Sequence, residues 1–256
     1  MPEVEDAVLY SADGTIGRIT LNRPENRNAL NDAIIGGVKS ALTAAQCDQN
    51  IRAIIVTGAG KDFCSGADLE ALQRISTASV SDNTADAASL MELFLQIRRC
   101  EVPVIAAVHG RALAGGCGLA TACDLVLAAS SARFGYPEVK IGFVPAMVLA
   151  ILRRNISEKR AFELITLGEE ISAAEANQAG LVNRVFDDQT FNQEVTRFVQ
   201  KFEKMSKSAV SLTKSLLYQI DGLAFDDALA TGGDVNVIAR MSEDCQSGIS
   251  RFLHKK

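Results

Sequence analysis

"VPVIAAVHGRALAGGCGLATACDLVLAASSARFGYPEVKIGFVP", residues 102–145, decides the fold. "VIAAVHG" (104–110) is an apolar run of strand length. "GGCGLATACD" (115–124) opens a helix, and "LVLAA" (125–129) is a second buried strand. Strand, glycine turn, helix, strand is an α/β unit. Glycine in a helix interior costs about 1 kcal/mol relative to alanine, yet Gly115, Gly116 and Gly118 crowd one turn. A helix start exposes N–H groups that the helix cannot satisfy, and its dipole adds partial positive charge there. Without Cβ atoms, Gly115 and Gly116 let an anion or a carbonyl oxygen approach that backbone, or let the helix pack closely on its neighbours. These residues alone leave both readings open.

Outward from this unit, "AVLY" (7–10) and "GRITLN" (17–22) read as strands around the turn signal "ADG". "RPENRN" (23–28) is a loop. Leu30, Ile34, Val38 and Leu42 recur every four residues and predict a helix from Asn28 to about Cys47. "IRAIIVTG" (51–58) is a buried strand, and "AGKDFCSGADLE" (59–70) is a glycine-bearing loop that enters a helix. Residues 75–88 are small and polar and read as a mobile surface loop. Leu90, Leu93, Phe94 and Ile97 mark the next helix. Ser157 and Gly168 bound another, and Ser172-x-x-Glu175 is a capping box closed by Gly180. "LVNRVF" (181–186) is the last strand. Everything from Asp188 onward reads as helical, with breaks near 206, 222 and 248. The one boundary this predicts separates a core, 1–190, from a C-terminal helical region, 191–256.

The composition is that of a globular protein: 256 residues, 48% hydrophobic, 22% charged, net charge −5. An acidic chain without a basic stripe argues against a nucleic-acid partner. No apolar run reaches membrane-spanning length, and "MPEVEDAVLY" lacks the pattern of a signal peptide, so a cytoplasmic protein is expected. The six cysteines form no C-x-x-C pair and match no zinc spacing. His109 and His254 are the only histidines, which leaves little for a metal site or a Ser-His-Asp triad.

"FCSGADLE" (63–70) places Gly66 and Ala67 at a second glycine turn after a strand. Two such turns could set two N–H donors around one oxygen. "LNRPENRNAL", "RAIIVTGAGKDFCSGADL", the 102–145 stretch and "ISAAEANQAGLVNRV" follow in order with natural spacing. Together they resemble the enoyl-CoA hydratase/isomerase (crotonase) family over most of residues 7–187. That resemblance implies an α/β fold, a crotonase-like spiral of ββα units with a helical C-terminal region, assembled as a homotrimer or a dimer of trimers. It implies an acyl-CoA substrate whose thioester oxygen is held by the N–H groups of Ala67 and Gly115. Glu138 matches the family's catalytic glutamate. The "SGADL" loop makes Ser65, Asp68 and Leu69 pocket residues beside Gly116 and Gly118, and Arg27 stands where basic residues near the CoA phosphates are common. The last helix covers a CoA site in relatives, which points to Phe252 and Lys255. The chemistry requires a base for the Cα proton and stabilisation of the enolate oxygen, and no metal or other cofactor.

One departure stands out. Family hydratases carry two glutamates, and the first normally follows the "GGC" element, where this chain has Gly118. Gly118 is expected to leave extra room and a single carboxylate. One carboxylate suffices to move a proton between two carbons of an acyl chain, which favours Δ3-Δ2 double-bond isomerisation. Hydration (including of branched or methylglutaconyl-type substrates), another enolate reaction such as decarboxylation, and acyl-CoA binding without catalysis are the alternatives. His109 and Asp124 read as structural, and Cys64 and Cys117 as packing residues.

Overall fold

The computed structural model describes residues 6–254, with Leu69 described by its backbone alone. The chain winds through successive strand–strand–helix turns. The first is the hairpin of β1 (Val8–Asp13) and β2 (Ile16–Leu21), turned at Gly14 with φ +58°, followed by α1 (Asp32–Cys47). The buried face of α1 holds Ile34, Val38 and Leu42, as the period of four requires. The helix starts later than its spacing suggests, because Asn31 caps it by accepting the Ile34 N–H. The preceding loop makes a short 3₁₀ turn at Pro24–Asn26. The buried Asn28 then donates to the carbonyls of Ala59 and Asp62 at 2.8 Å each, pinning this loop to the next turn.

The second turn contains β3 (Ala53–Gly58), α2 (Leu69–Thr77) and α3 (Val80–Arg99). The loop expected over 75–88 is therefore helical apart from a break at 78–79. Ser79 and Asp82 form a capping box, and α3 is anchored far along by Leu93, Phe94 and Ile97, so its small polar first turns stay exposed. The third turn is β4 (Val104–Val108), β5 (Arg111–Leu113) and α4 (Gly115–Ala122). The fourth is β6 (Leu125–Ala129), β7 (Arg133–Gly135), a 3₁₀ turn at Pro137–Ile141, α5 (Ala146–Asn155) and α6 (Glu158–Leu167). Then follow β8 (Glu170–Ser172), α7 (Ala173–Ala179), β9 (Arg184–Phe186), α8 (Phe191–Val199), α9 (Lys207–Gln219), α10 (Phe225–Met241) and α11 (Glu243–Leu253). The last helical break falls at Ser242, which caps α11, and not near Gly248, which α11 runs through.

Strands pair in two sheets. The large sheet has the order β1-β2-β3-β4-β6-β9, parallel throughout except for the β1–β2 hairpin. The second strands of the later turns form a small sheet, β5-β7-β8. These three-residue strands are too short for hydrophobic alternation to show in the sequence. One face of the large sheet packs on α1, α3 and α4 in the main core; the other, with Ile55, Ile105 and Leu127, is covered by Phe191, Val195 and Val199 of α8. Helix α9 is fastened to the core by buried Lys214. Its ammonium donates to the carbonyls of Ile97 and Val102, each at 3.0 Å, and pairs with Asp124 at 2.7 Å.

Candidate active site

Three segments converge where α4 begins. The first is the loop after β3. Cys64 pairs with β5, its N–H donating to Arg111 O and its carbonyl accepting from Leu113 N, both at 3.0 Å. Beyond it, Leu30 N–H donates to Gly66 O at 2.7 Å, and Asp68 N–H donates to Leu30 O at 3.0 Å. A trans peptide directs its C=O and N–H oppositely. With Gly66 O aimed at Leu30, the Ala67 N–H faces away from Leu30, on the side of β5 and α4. Gly66 has φ +101°, and a Cβ there would lie 2.8 Å from the Ala114 Cβ, so only glycine lets the two turns touch.

The second segment is the start of α4. Ala114 O accepts from Gly118 N at 2.9 Å, so the Gly115 N–H points out of the helix end. Among the described residues neither Ala67 N–H nor Gly115 N–H has a hydrogen-bond partner. Ala114 sits at φ +49°, ψ −128°, a conformation costing about 1–3 kcal/mol for an L-residue. Its N–H bond to Gly135 O, 2.8 Å, helps hold it there. A Cβ at Gly116 would collide with the Cys64 carbonyl and side chain, and one at Gly115 would stand 3.1 Å from Leu30 Cδ1. Close packing and outward N–H groups therefore occur together at these glycines.

The third segment follows β7. Glu138 lies on the 3₁₀ turn with 9% of its surface exposed, and its Oε2 is buried without a hydrogen-bond partner among the described residues. Burial raises its pKa, with its own backbone N–H opposing. Its charge reaches Cys117 on α4 and the buried Tyr136, adding to the upward shift that burial imposes on both. Burial pushes the Cys64 and Cys117 thiols up to about 12, so they remain neutral packing groups, as expected. Two outward N–H groups can hold an oxygen bearing negative charge, and a carboxylate of raised pKa with one free oxygen can take and return a proton.

The sequence profile described as enoyl-CoA hydratase/isomerase matches residues 11–256. The chain belongs to the enoyl-CoA hydratase/isomerase family. It is 38% identical to a Thermus thermophilus protein described as an enoyl-CoA hydratase, over 95% of this chain and 96% of that one. It is 35% identical to the 2,3-dehydroadipyl-CoA hydratase of Escherichia coli, over 97% and 96%. The crystal structure of an enoyl-CoA hydratase from Mycobacterium smegmatis superposes with a TM-score of 0.93 at 33% identity, covering 98% of both chains. The spiral core with its helical C-terminal region is thus the crotonase fold.

Within this crotonase fold the room expected at Gly118 is absent. A Cβ at 118 would stand 2.5 Å from Val148 Cγ2 and 3.5 Å from Phe94 Cζ. Val148, 4% exposed on α5, fills the space that the glycine leaves. Sequence alone cannot face Val148 toward Gly118, since the two are thirty residues apart and meet only by the packing of α4 on α5.

The remaining candidates divide. Ser65 N–H donates to Arg27 O at 3.0 Å, so these two lie together; the Arg27 side chain is 62% exposed, 4.0 Å from Asp62. Asp68 is buried. It caps α2 through the Glu70 N–H and pairs with Arg23 at 2.7 Å, and the Arg23 hydrogen bond holds its carboxyl below the usual range. Leu69 opens α2, and its side chain lies outside the described residues. Phe252 is 81% exposed on α11, and the structure does not bring it into the site; Lys255 lies outside the described residues. His109 donates from Nε2 to Gly60 O at 3.1 Å, and Asp124 accepts from Val104 N and Tyr218 Oη at 2.7 Å each, both structural bonds. No described helix is long and apolar enough to cross a membrane.

Proposed function

We propose that this protein binds unsaturated acyl-CoA thioesters and moves their double bond by proton transfer through Glu138. The observation that carries this reading is the buried Glu138, one carboxylate oxygen without a partner among the described residues, on the turn after β7, whose Gly135 carbonyl holds Ala114 at the start of α4, together with the outward-facing N–H groups of Ala67 and Gly115. The thioester oxygen of a 3-enoyl-CoA would accept from both N–H groups. Glu138 takes a proton from C2, negative charge collects on that oxygen, and the same carboxyl returns the proton to C4, leaving the 2-enoyl thioester. Each donor is worth about 3–4 kcal/mol to such a charge. The exposed Ile141, Phe143 and Val144 just after Glu138 offer apolar surface to an acyl chain, and Arg27 offers charge to the CoA phosphates. The acyl thioester and these residues need no metal or redox cofactor.

Hydration is the second reading, favoured by the hydratase names of the relatives. It adds hydroxide at C3 and a proton at C2 of a 2-enoyl-CoA. With Val148 and Phe94 against Gly118, no second carboxylate can project from α4 toward water. Incubation with a 3-enoyl-CoA and separately with a 2-enoyl-CoA separates the two. Formation of the conjugated thioester from the first, with slow loss of the second, supports isomerisation; rapid loss of the second supports hydration. Assembly into trimers or hexamers is part of the proposal, supported by exposed Phe225, Leu229, Val237 and Met241 along α10.

A further inference from the structure

A cavity of about 760 Å³ opens away from Glu138, at the start of β5 rather than beyond its end. Thr57 and Gly58 at the end of β3, His109 just after β4 and Ala129 at the end of β6 line it. In parallel sheets ligands bind in the crevice outside the carboxyl ends of the strands. We propose that this cavity is a second ligand site, separate from the acyl-CoA site, for a small polyanion bearing phosphate or carboxylate groups.

The charges point to that class. Lys61, Arg111 and Arg133 all line the cavity. Arg111 and Arg133 are direct register partners on β5 and β7, and like charges placed opposite each other repel unless an opposite charge lies near. Glu170 approaches Arg111 at 3.4 Å. Among the described residues, no carboxylate lies within salt-bridge distance of Arg133 or Lys61. The cavity's own two carboxylates are occupied by local bonds. Asp62 Oδ1 accepts from Arg111 N at 3.0 Å, and Asp188 Oδ1 accepts from Ser131 N and Oγ at 3.1 and 3.0 Å. With Arg111 paired to Glu170, and Asp62 and Asp188 engaged by these donors, Lys61 and Arg133 are the cavity's cations without an ion pair among the described residues. His109 adds a polar group, its Nε2–H bonded to Gly60 O and its Nδ1 left over. The acid–base site uses none of these side chains.

Calorimetric titration of the whole protein with inorganic pyrophosphate, and separately with citrate, tests this at low ionic strength, where charge is least screened. Each titration is repeated with saturating coenzyme A. Binding of either anion, undiminished by coenzyme A and weakened at least tenfold in Lys61→Gln/Arg133→Gln, is the expected result; the tighter of the two identifies phosphate or carboxylate as the group read. Both substituted residues are exposed, and the variant's coenzyme A affinity is expected to match the parent's. No binding of either anion, displacement by coenzyme A, or an affinity the double variant leaves intact would overturn the proposal.

Discussion

A carboxylate moved out of water holds its proton more tightly, and Glu138 is in that position with one oxygen unpartnered. In Glu138→Gln, turnover is expected to fall by about 10²–10⁴ while coenzyme A affinity is retained, measured by single-turnover kinetics and calorimetry. Stability should move the other way. Between the ordinary glutamate pKa and the raised native value, the native state keeps a proton that the unfolded chain has released, so stability declines as pH rises through that window. Glutamine removes this penalty, and the variant's Tm at neutral pH is expected to equal or exceed the parent's. The acid limb of kcat/KM should lie above the usual glutamate range, because Glu138 must be ionised to accept a proton. Asp68 has the opposite sign. Its lowered pKa contributes stability that is present above the unfolded value and lost as pH falls through the native one, with release of Arg23 and of the α2 cap.

At the scale of elements, the site depends on how closely α4 approaches the loop after β3. Gly116→Ala drives a Cβ into Cys64, so the two turns must part. The expected result is a loss of about 1–3 kcal/mol in chemical denaturation, and a fall in kcat of up to about 10²–10³ if one N–H leaves the oxygen it holds. The α4–α5 contact gives a sharper test. Gly118→Glu alone meets Val148 and is expected to destabilise the fold without gaining hydration. Gly118→Glu/Val148→Ala makes room for the carboxylate, and is expected to regain stability and to hydrate a short 2-enoyl-CoA faster than the parent, followed as loss of the conjugated absorbance. Equal hydration by parent and double variant would show that a missing carboxylate is not what limits water addition.

Over the whole molecule, the C-terminal helices are tied to the spiral by a few buried polar bonds. Lys214 uses its three N–H groups on Ile97 O, Val102 O and Asp124, and Asp124 also holds Tyr218, under a cation–π contact from Arg98, 4.5 Å from the ring centroid. Removing one member leaves the other charge buried and alone. Lys214→Met is expected to cost about 3–5 kcal/mol by denaturant titration, and Lys214→Met/Asp124→Asn less than the sum of the single changes. Phe225, Leu229, Val237 and Met241 of α10 are exposed among the described residues, and light scattering is expected to report a mass three or six times that of the monomer.

Local patterns were enough for the elements whose signal lies within ten or so residues: the fourfold spacing of α1, the Ser157, Gly168 and Ser172 caps, and the parallel strands of the large sheet. The glycine turns were legible in the same way, whereas Glu138 stood out only through the family resemblance, because a glutamate beside Pro137 reads equally as a surface carboxylate until the fold buries it. The small sheet, the helical state of 80–88, the Val148 plug at Gly118, the Lys214 anchor and the cationic cavity were not legible. Each rests on contacts between segments that the sequence separates, where propensity is weak and packing decides. Gly118 shows the division most plainly: its identity declares that no carboxylate projects there, and only the packing of α5 on α4 declares that no space was left either.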